Sequence, residues 1–136
     1  MKSDILPVTA TVAVGSLATV NEDGSPWSTP LHFAFGDEVV VWLSSAQTQH
    51  SENIERDDRV SIVLWTTTEV ENVKGAYVQT QARRVTGTEE IAARQLYAER
   101  FGGVIPEKFV AAETYIAPLG DINTTKTRGG RVYFQA

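Results

Sequence analysis

The chain has 136 residues, no cysteine, two histidines and a formal net charge of −5. These figures exclude disulfides, thiolate metal centres and cysteine nucleophiles, and they leave too few imidazoles for a multi-histidine metal site within one chain. The acidic balance argues against non-specific nucleic-acid binding, which relies on lysine and arginine to neutralise phosphates.

With 42% hydrophobic residues the chain has enough apolar content to bury a core, and its length fits one domain over residues 1–136. No apolar run approaches the ~20 residues of a membrane helix. The N-terminus shows one lysine followed by an acid, not a charged leader ahead of an apolar stretch, so a cytoplasmic location is expected.

The first half reads as a strand meander. Thr9 to Val20 is rich in β-branched and small apolar residues and ends at Asn21-Glu22-Asp23-Gly24, where Asp23-Gly24 suits a hairpin turn. Trp27 to Phe35 follows and closes at Gly36-Asp37. Val39 to Leu43 is apolar at every position, as expected for a strand covered on both faces. The period then changes. Ser44 to Arg56 has few β-formers, opens with two capping candidates, and places Ala46, His50 and Ile54 every fourth residue, which predicts a short helix.

Val60 to Trp65 and Gly75 to Val85 read as the fourth and fifth strands, separated by a polar stretch, Thr66 to Lys74. Thr88-Glu89-Glu90 opens a second helix with an apolar stripe of Ala92, Ala93, Leu96, Tyr97 and Phe101, stopped by Gly102-Gly103. Pro106 starts a further helical turn. Tyr115 to Leu119 and Arg131 to Phe134 are closing strands around a polar loop, Asp121 to Gly130. The expected fold is mainly β with helices: a six- to seven-stranded antiparallel barrel, closed to avoid exposed edges.

The stretch Ser16 to Trp65 carries a family resemblance. Leu17-Ala18-Thr19-Val20, the Asp23-Gly24 turn, Pro30 within the second strand, a bulky third strand ending in Ser44, the Asn53-Ile54 pair and Asp58-Arg59-Val60-Ser61 follow in order. This resembles the FMN-binding split barrel of the pyridoxamine 5'-phosphate oxidase-like family, and Gly75 to Phe101 also fits that family's long strand running into a helix. The resemblance implies an FMN-dependent oxidoreductase acting on a small molecule. It also implies a homodimer with the cofactor in a groove at the interface. The phosphate would sit at the end of the third strand and the start of the first helix, near Ser44, Ser45, Thr48, Gln49 and His50. The ring would lie against the strand edge Ser28-Thr29-Pro30-Leu31. Many relatives carry an arginine–lysine pair where this chain has Gln49-His50, a loss of two fixed charges.

Each assignment has a plainer counterpart. Ser44, Ser45 and Thr48 are also helix-capping residues, and His50 is also a helical residue packing on Ile54. His32 lacks an acid–base partner in sequence. Trp27, Trp42 and Trp65 read as core or interface anchors, and Asn53 as a tie between the helix and a loop. Arg83 and Arg84 point to opposite faces of a strand, one solvated and one paired. Lys126, Arg128 and Arg131 form a basic connector. No general base is evident. The alternative function is a non-catalytic FMN, other flavin or haem binding protein on the same barrel.

Overall fold

The computed structural model describes residues 14–65, 74–127 and 131–136. The segments Thr9 to Ala13, Thr66 to Val73 and Arg128 to Gly130, with the N-terminal residues, lie outside the described residues. So does most of the loop expected between the fourth and fifth strands, and the centre of the basic connector.

Small and β-branched residues make β1 (Val14–Val20), and the turn Asn21 to Ser25 sends the chain back as β2 (Pro26–His32). Gly24 takes φ +88° in that turn, a conformation in which any Cβ is strained. Next come β3 (Ala34–Phe35), β4 (Val39–Ser44), α1 (Gln49–Arg56) and β5 (Arg59–Trp65). Then follow β6 (Gly75–Gln81), β7 (Arg83–Val85) and α2 (Gly87–Arg100). A 3₁₀ turn over Glu107–Phe109 and the strands β8 (Glu113–Pro118), β9 (Asp121–Ile122) and β10 (Arg131–Gln135) complete the order.

The ten described strands form two sheets, in the orders β2-β1-β5-β6-β10-β9 and β3-β4-β8-β7. The split barrel is therefore present, with three corrections. Two segments read as single strands each divide and change sheet: 27–35 becomes β2 and β3 around Phe33, and 75–85 becomes β6 and β7 around Ala82. Such corners let two sheets share one core, and Phe33 and Ala82 are buried at them. The barrel is not closed. Nor is the pairing purely antiparallel, since β10 runs parallel to β6, with Tyr133 opposite Tyr77.

β4 is covered on both faces as expected. Val40 and Trp42 join Leu17, Phe33, Ile62 and Phe134 in the barrel core, whereas Val41 and Leu43 pack with Ala93 and Tyr97 beneath α2. Trp42 sits edge-on to Phe33 at 5.7 Å and stacks on Tyr115 at 6.1 Å. Helix α2 begins one residue before Thr88, after Thr86, and ends at Gly102-Gly103, where the Gly103 amide donates to the Ala98 carbonyl. Ala92, assigned to the apolar stripe, is exposed. Arg83 pairs with Glu89 while Arg84 stays exposed, the division expected for neighbouring strand residues.

No helix among the described residues is long and apolar enough to cross a membrane.

Candidate functional site

Strand β4 ends at Ser44, whose backbone still pairs with Glu113 of β8. The chain turns through 45–47 and enters α1 at Gln49, with Thr48 as the N-cap. This corrects the expected start of the helix. Ser44 belongs to the strand, and Thr48 Oγ1 accepts from the Ser51 amide at 3.2 Å, satisfying one of the amides a helix start leaves open. The Thr48 hydroxyl also meets the Ser45 carbonyl at 3.1 Å and Ser51 Oγ at 2.7 Å.

The turn brings the strand end and the first helical turn face to face. The Ser44 hydroxyl lies 2.9 Å from His50 Nε2, and Thr48 Oγ1 lies 3.2 Å from the same nitrogen. Ser44 is 7% exposed and His50 6%. Burial lowers the His50 pKa below its ordinary value, because a low-dielectric setting penalises the imidazolium. The ring is thus neutral at pH 7, and Nε2 accepts from one hydroxyl or donates to it according to its tautomer.

The Tyr115 hydroxyl and Trp42 Nε1 are both buried, and among the described residues neither makes a hydrogen bond of good geometry. Burial pushes the Tyr115 phenol up, and the nearby Ser51 hydroxyl pulls it the other way.

The other predicted residues go elsewhere. Ser45 is exposed and accepts from the Gln47 amide. Gln49 turns away from His50, its amide reaching Asn21 Oδ1 at 3.1 Å and Asn53 Oδ1 at 3.3 Å. Ser28, Thr29, Pro30 and Leu31 lie on β2, an edge of the six-stranded sheet, where a proline without an N–H is tolerated. Their side chains alternate. Thr29 and Leu31 stand opposite Leu17 and Gly15 on the core side, and Ser28 and Pro30 stand opposite Ala18 and Ser16 on the other. Among the described residues no hydrogen bond joins this edge to the Ser44–His50 cluster.

Asn53 is the residue that holds the site in place. Its amide donates to Thr19 Oγ1 at 3.0 Å and Asn21 Oδ1 at 2.9 Å, and its Oδ1 accepts from Arg56 at 3.0 Å. Arg56 also donates to the Val20 carbonyl at 2.7 Å. The tie expected of Asn53 is therefore present, but nothing in the sequence marks Thr19, Asn21 and Arg56 as its partners. Two open depressions flank Arg59 on the outer side of the large sheet, with volumes of about 400 and 230 Å³. Neither is lined by any of the nine predicted cofactor residues.

A haem-binding protein from Mycobacterium smegmatis superposes with a TM-score of 0.72 at 21% identity, covering 85% of this chain and 50% of that one. The chain thus spans half the length of that protein. A FAD-binding protein from Mesorhizobium loti gives 0.64 at 18% identity, with 85% and 86% covered. An F420 reductase gives 0.63 at 19% identity, with 83% and 91% covered. No curated protein matches the chain. These likenesses show a shared fold. The family model described as pyridoxamine 5'-phosphate oxidase matches residues 2–123, which is most of the sequence, and the chain belongs to that family.

Proposed function

We propose that this chain binds FMN and works, as a homodimer, as a flavin-dependent oxidoreductase of a small molecule. The observation that carries this reading is the Ser44–Thr48–His50 cluster at the start of α1, in which Ser44 and His50 are buried and Thr48 half-buried. Its chemistry fits a phosphate. Hydroxyl donors, the open amides of a helix N-terminus and an imidazole able to take a proton converge there.

In this reading Ser44, Thr48 and the first amides of α1 hold the phosphate, and His50 supplies a further donor. The edge of β2 offers backbone groups to the polar rim of the ring, with the Ser28 hydroxyl beside them. When bound, the flavin supplies hydride or electron transfer at its N5. The protein's part is orientation and exclusion of water. FMN titration of the apo-protein, followed by flavin fluorescence, is expected to show saturable binding, weakened about tenfold or more in His50→Ala. No saturation at high FMN would overturn the reading.

A second reading is non-catalytic carriage of a flavin or haem. The neutrality of the cluster favours it: among the described residues the side-chain hydrogen-bond partners of Ser44, Thr48 and His50 are hydroxyls, a carbonyl, an amide and the His50 ring itself, and none carries a fixed charge. The likeness to a haem-binding protein points the same way. Sustained reduction by NAD(P)H and reoxidation over many turnovers separates the two.

The proposed dimer rests on the outward face of the six-stranded sheet. Val14 and Trp65 are 46% and 41% exposed, and Tyr77 and Tyr133 stack beside them at 4.4 Å. The charged side chains Arg59, Asp121 and Arg131 stand at the margins of this face. Charge depletion at the centre with aromatic enrichment is typical of an interface core. Sedimentation at micromolar concentration is expected to give the mass of two chains, falling to one in Tyr77→Glu. A wild-type mass of one chain would rule this dimer out.

A further inference from the structure

We infer that the anion site at the start of α1 is charged on demand: a bound phosphate draws one proton onto His50, so phosphorylated ligands are held more tightly as pH falls through neutrality. This rests on the phosphate site proposed above and adds its regulation.

The argument starts from what surrounds the ring. Ser44 and Thr48 approach Nε2 at 2.9 and 3.2 Å, and neither carries a charge. From β8, Glu113 pairs with Ser44 and Tyr115 with Trp42. From β1 come Thr19 and Asn21, reached through Asn53, and from β2 comes Trp27, opposite Thr19. Helix α1 itself carries Glu52 and Glu55 on its exposed side and Arg56 at its far end. Burial alone accounts for the lowered pKa of His50, so none of these charges sets it. The imidazole is the group of the cluster whose charge can change near neutral pH.

A phosphate dianion at hydrogen-bond distance reverses this balance, since opposite charge favours the imidazolium where burial disfavours it. The proton comes from solvent and goes to a ring nitrogen. Both nitrogens then donate. Nε2–H points at the Ser44 and Thr48 hydroxyls; Ser44 is then left to donate to a phosphate oxygen, and Thr48 does so by giving up the Ser45 carbonyl or Ser51 Oγ. The phosphate stays dianionic above its second pKa of about 6, so above that value proton uptake belongs to the protein. The sign follows from linkage. A complex that binds one more proton than its free partners weakens as pH rises, by up to about tenfold per pH unit.

The test is titration of the apo-protein with FMN and with riboflavin, which has the same ring and no phosphate, between about pH 6.5 and 8.5. For wild type, the FMN dissociation constant is expected to rise roughly five- to tenfold per pH unit over part of this range, with riboflavin binding flat. His50→Gln, checked for folding by circular dichroism, should bind FMN with a flat profile. A flat FMN profile in wild type, a slope retained in His50→Gln, or the same slope for riboflavin would each overturn the proton linkage while leaving a flavin site standing. FMN bound no more tightly than riboflavin at every pH, or not bound at all, would overturn the phosphate site and the linkage with it.

Discussion

Replacing Trp42 by alanine is expected to remove about 3–5 kcal/mol of stability, a large part of the roughly 5–15 kcal/mol that holds a domain together. The indole is fully buried, wedged between Phe33 and Tyr115, and its loss opens a void where the two sheets meet. The same side chain carries an opposing term. Trp42 Nε1 is buried and has no hydrogen-bond partner among the described residues, and an unmet donor costs about 1–3 kcal/mol. Trp42→Phe removes that donor along with part of the volume, so its net loss should stay below about 1.5 kcal/mol. Urea unfolding followed by far-ultraviolet circular dichroism measures both. Equal midpoints for the two variants would mean that the indole is not the wedge described.

The contrast between what was legible in the sequence and what was not runs along one physical line. Patterns local in the chain were readable. The β-branched and small apolar residues of β1, the continuous apolar run of β4, the Asp23-Gly24 turn and the Gly102-Gly103 stop of α2 each reflect a preference decided within a few residues. Features settled by distant contacts were not. Phe33 and Ala82 look like ordinary strand residues, yet the chain changes sheet at each, because burial at a corner leaves no mark in periodicity. Three hydroxyl residues, Ser44, Ser45 and Thr48, compete for the cap of α1. Thr48 takes it because β8 holds Ser44 in the strand through Glu113. The parallel pairing of β10 with β6 depends on chain ends 50 and more residues apart.

The site divides in the same way. The residues of the candidate cluster lie in one stretch of sequence, marked by capping chemistry and by the family resemblance. The internal arrangement, with His50 turned onto Ser44 while Gln49 turns towards Asn21, needed the sheet beneath the helix. Asn53 was recognisable as a tie, but its partners lie 32 and 34 residues away.

That tie supports the second large effect. Asn53→Ala deletes the donors to Thr19 and Asn21 and the acceptor for Arg56 at once. Thr19 is 2% exposed and Asn53 fully buried, so water does not readily replace what is lost, and the expected cost is about 2–4 kcal/mol. Helix α1 spans only eight residues and depends on docking for its stability. Asn53→Ala should therefore weaken FMN binding as well, by loosening the turn that presents Thr48 and His50. Asn53→Asp separates shape from hydrogen bonding. It preserves the acceptor for Arg56 but sets a carboxylate where an amide had donated, beside the Asn21 oxygen. Its folded-state pKa should be raised by burial above the ordinary value near 4. A raised carboxylate pKa means that the folded state holds the proton longer than the unfolded one, so stability is greatest at low pH and is lost as pH rises through that interval. Urea midpoints measured from about pH 4 to 7 should accordingly fall for Asn53→Asp relative to wild type. A midpoint difference that stays constant with pH would show that position 53 is not buried in an acceptor-rich setting, and the anchoring of α1 would have to be assigned to Arg56 instead.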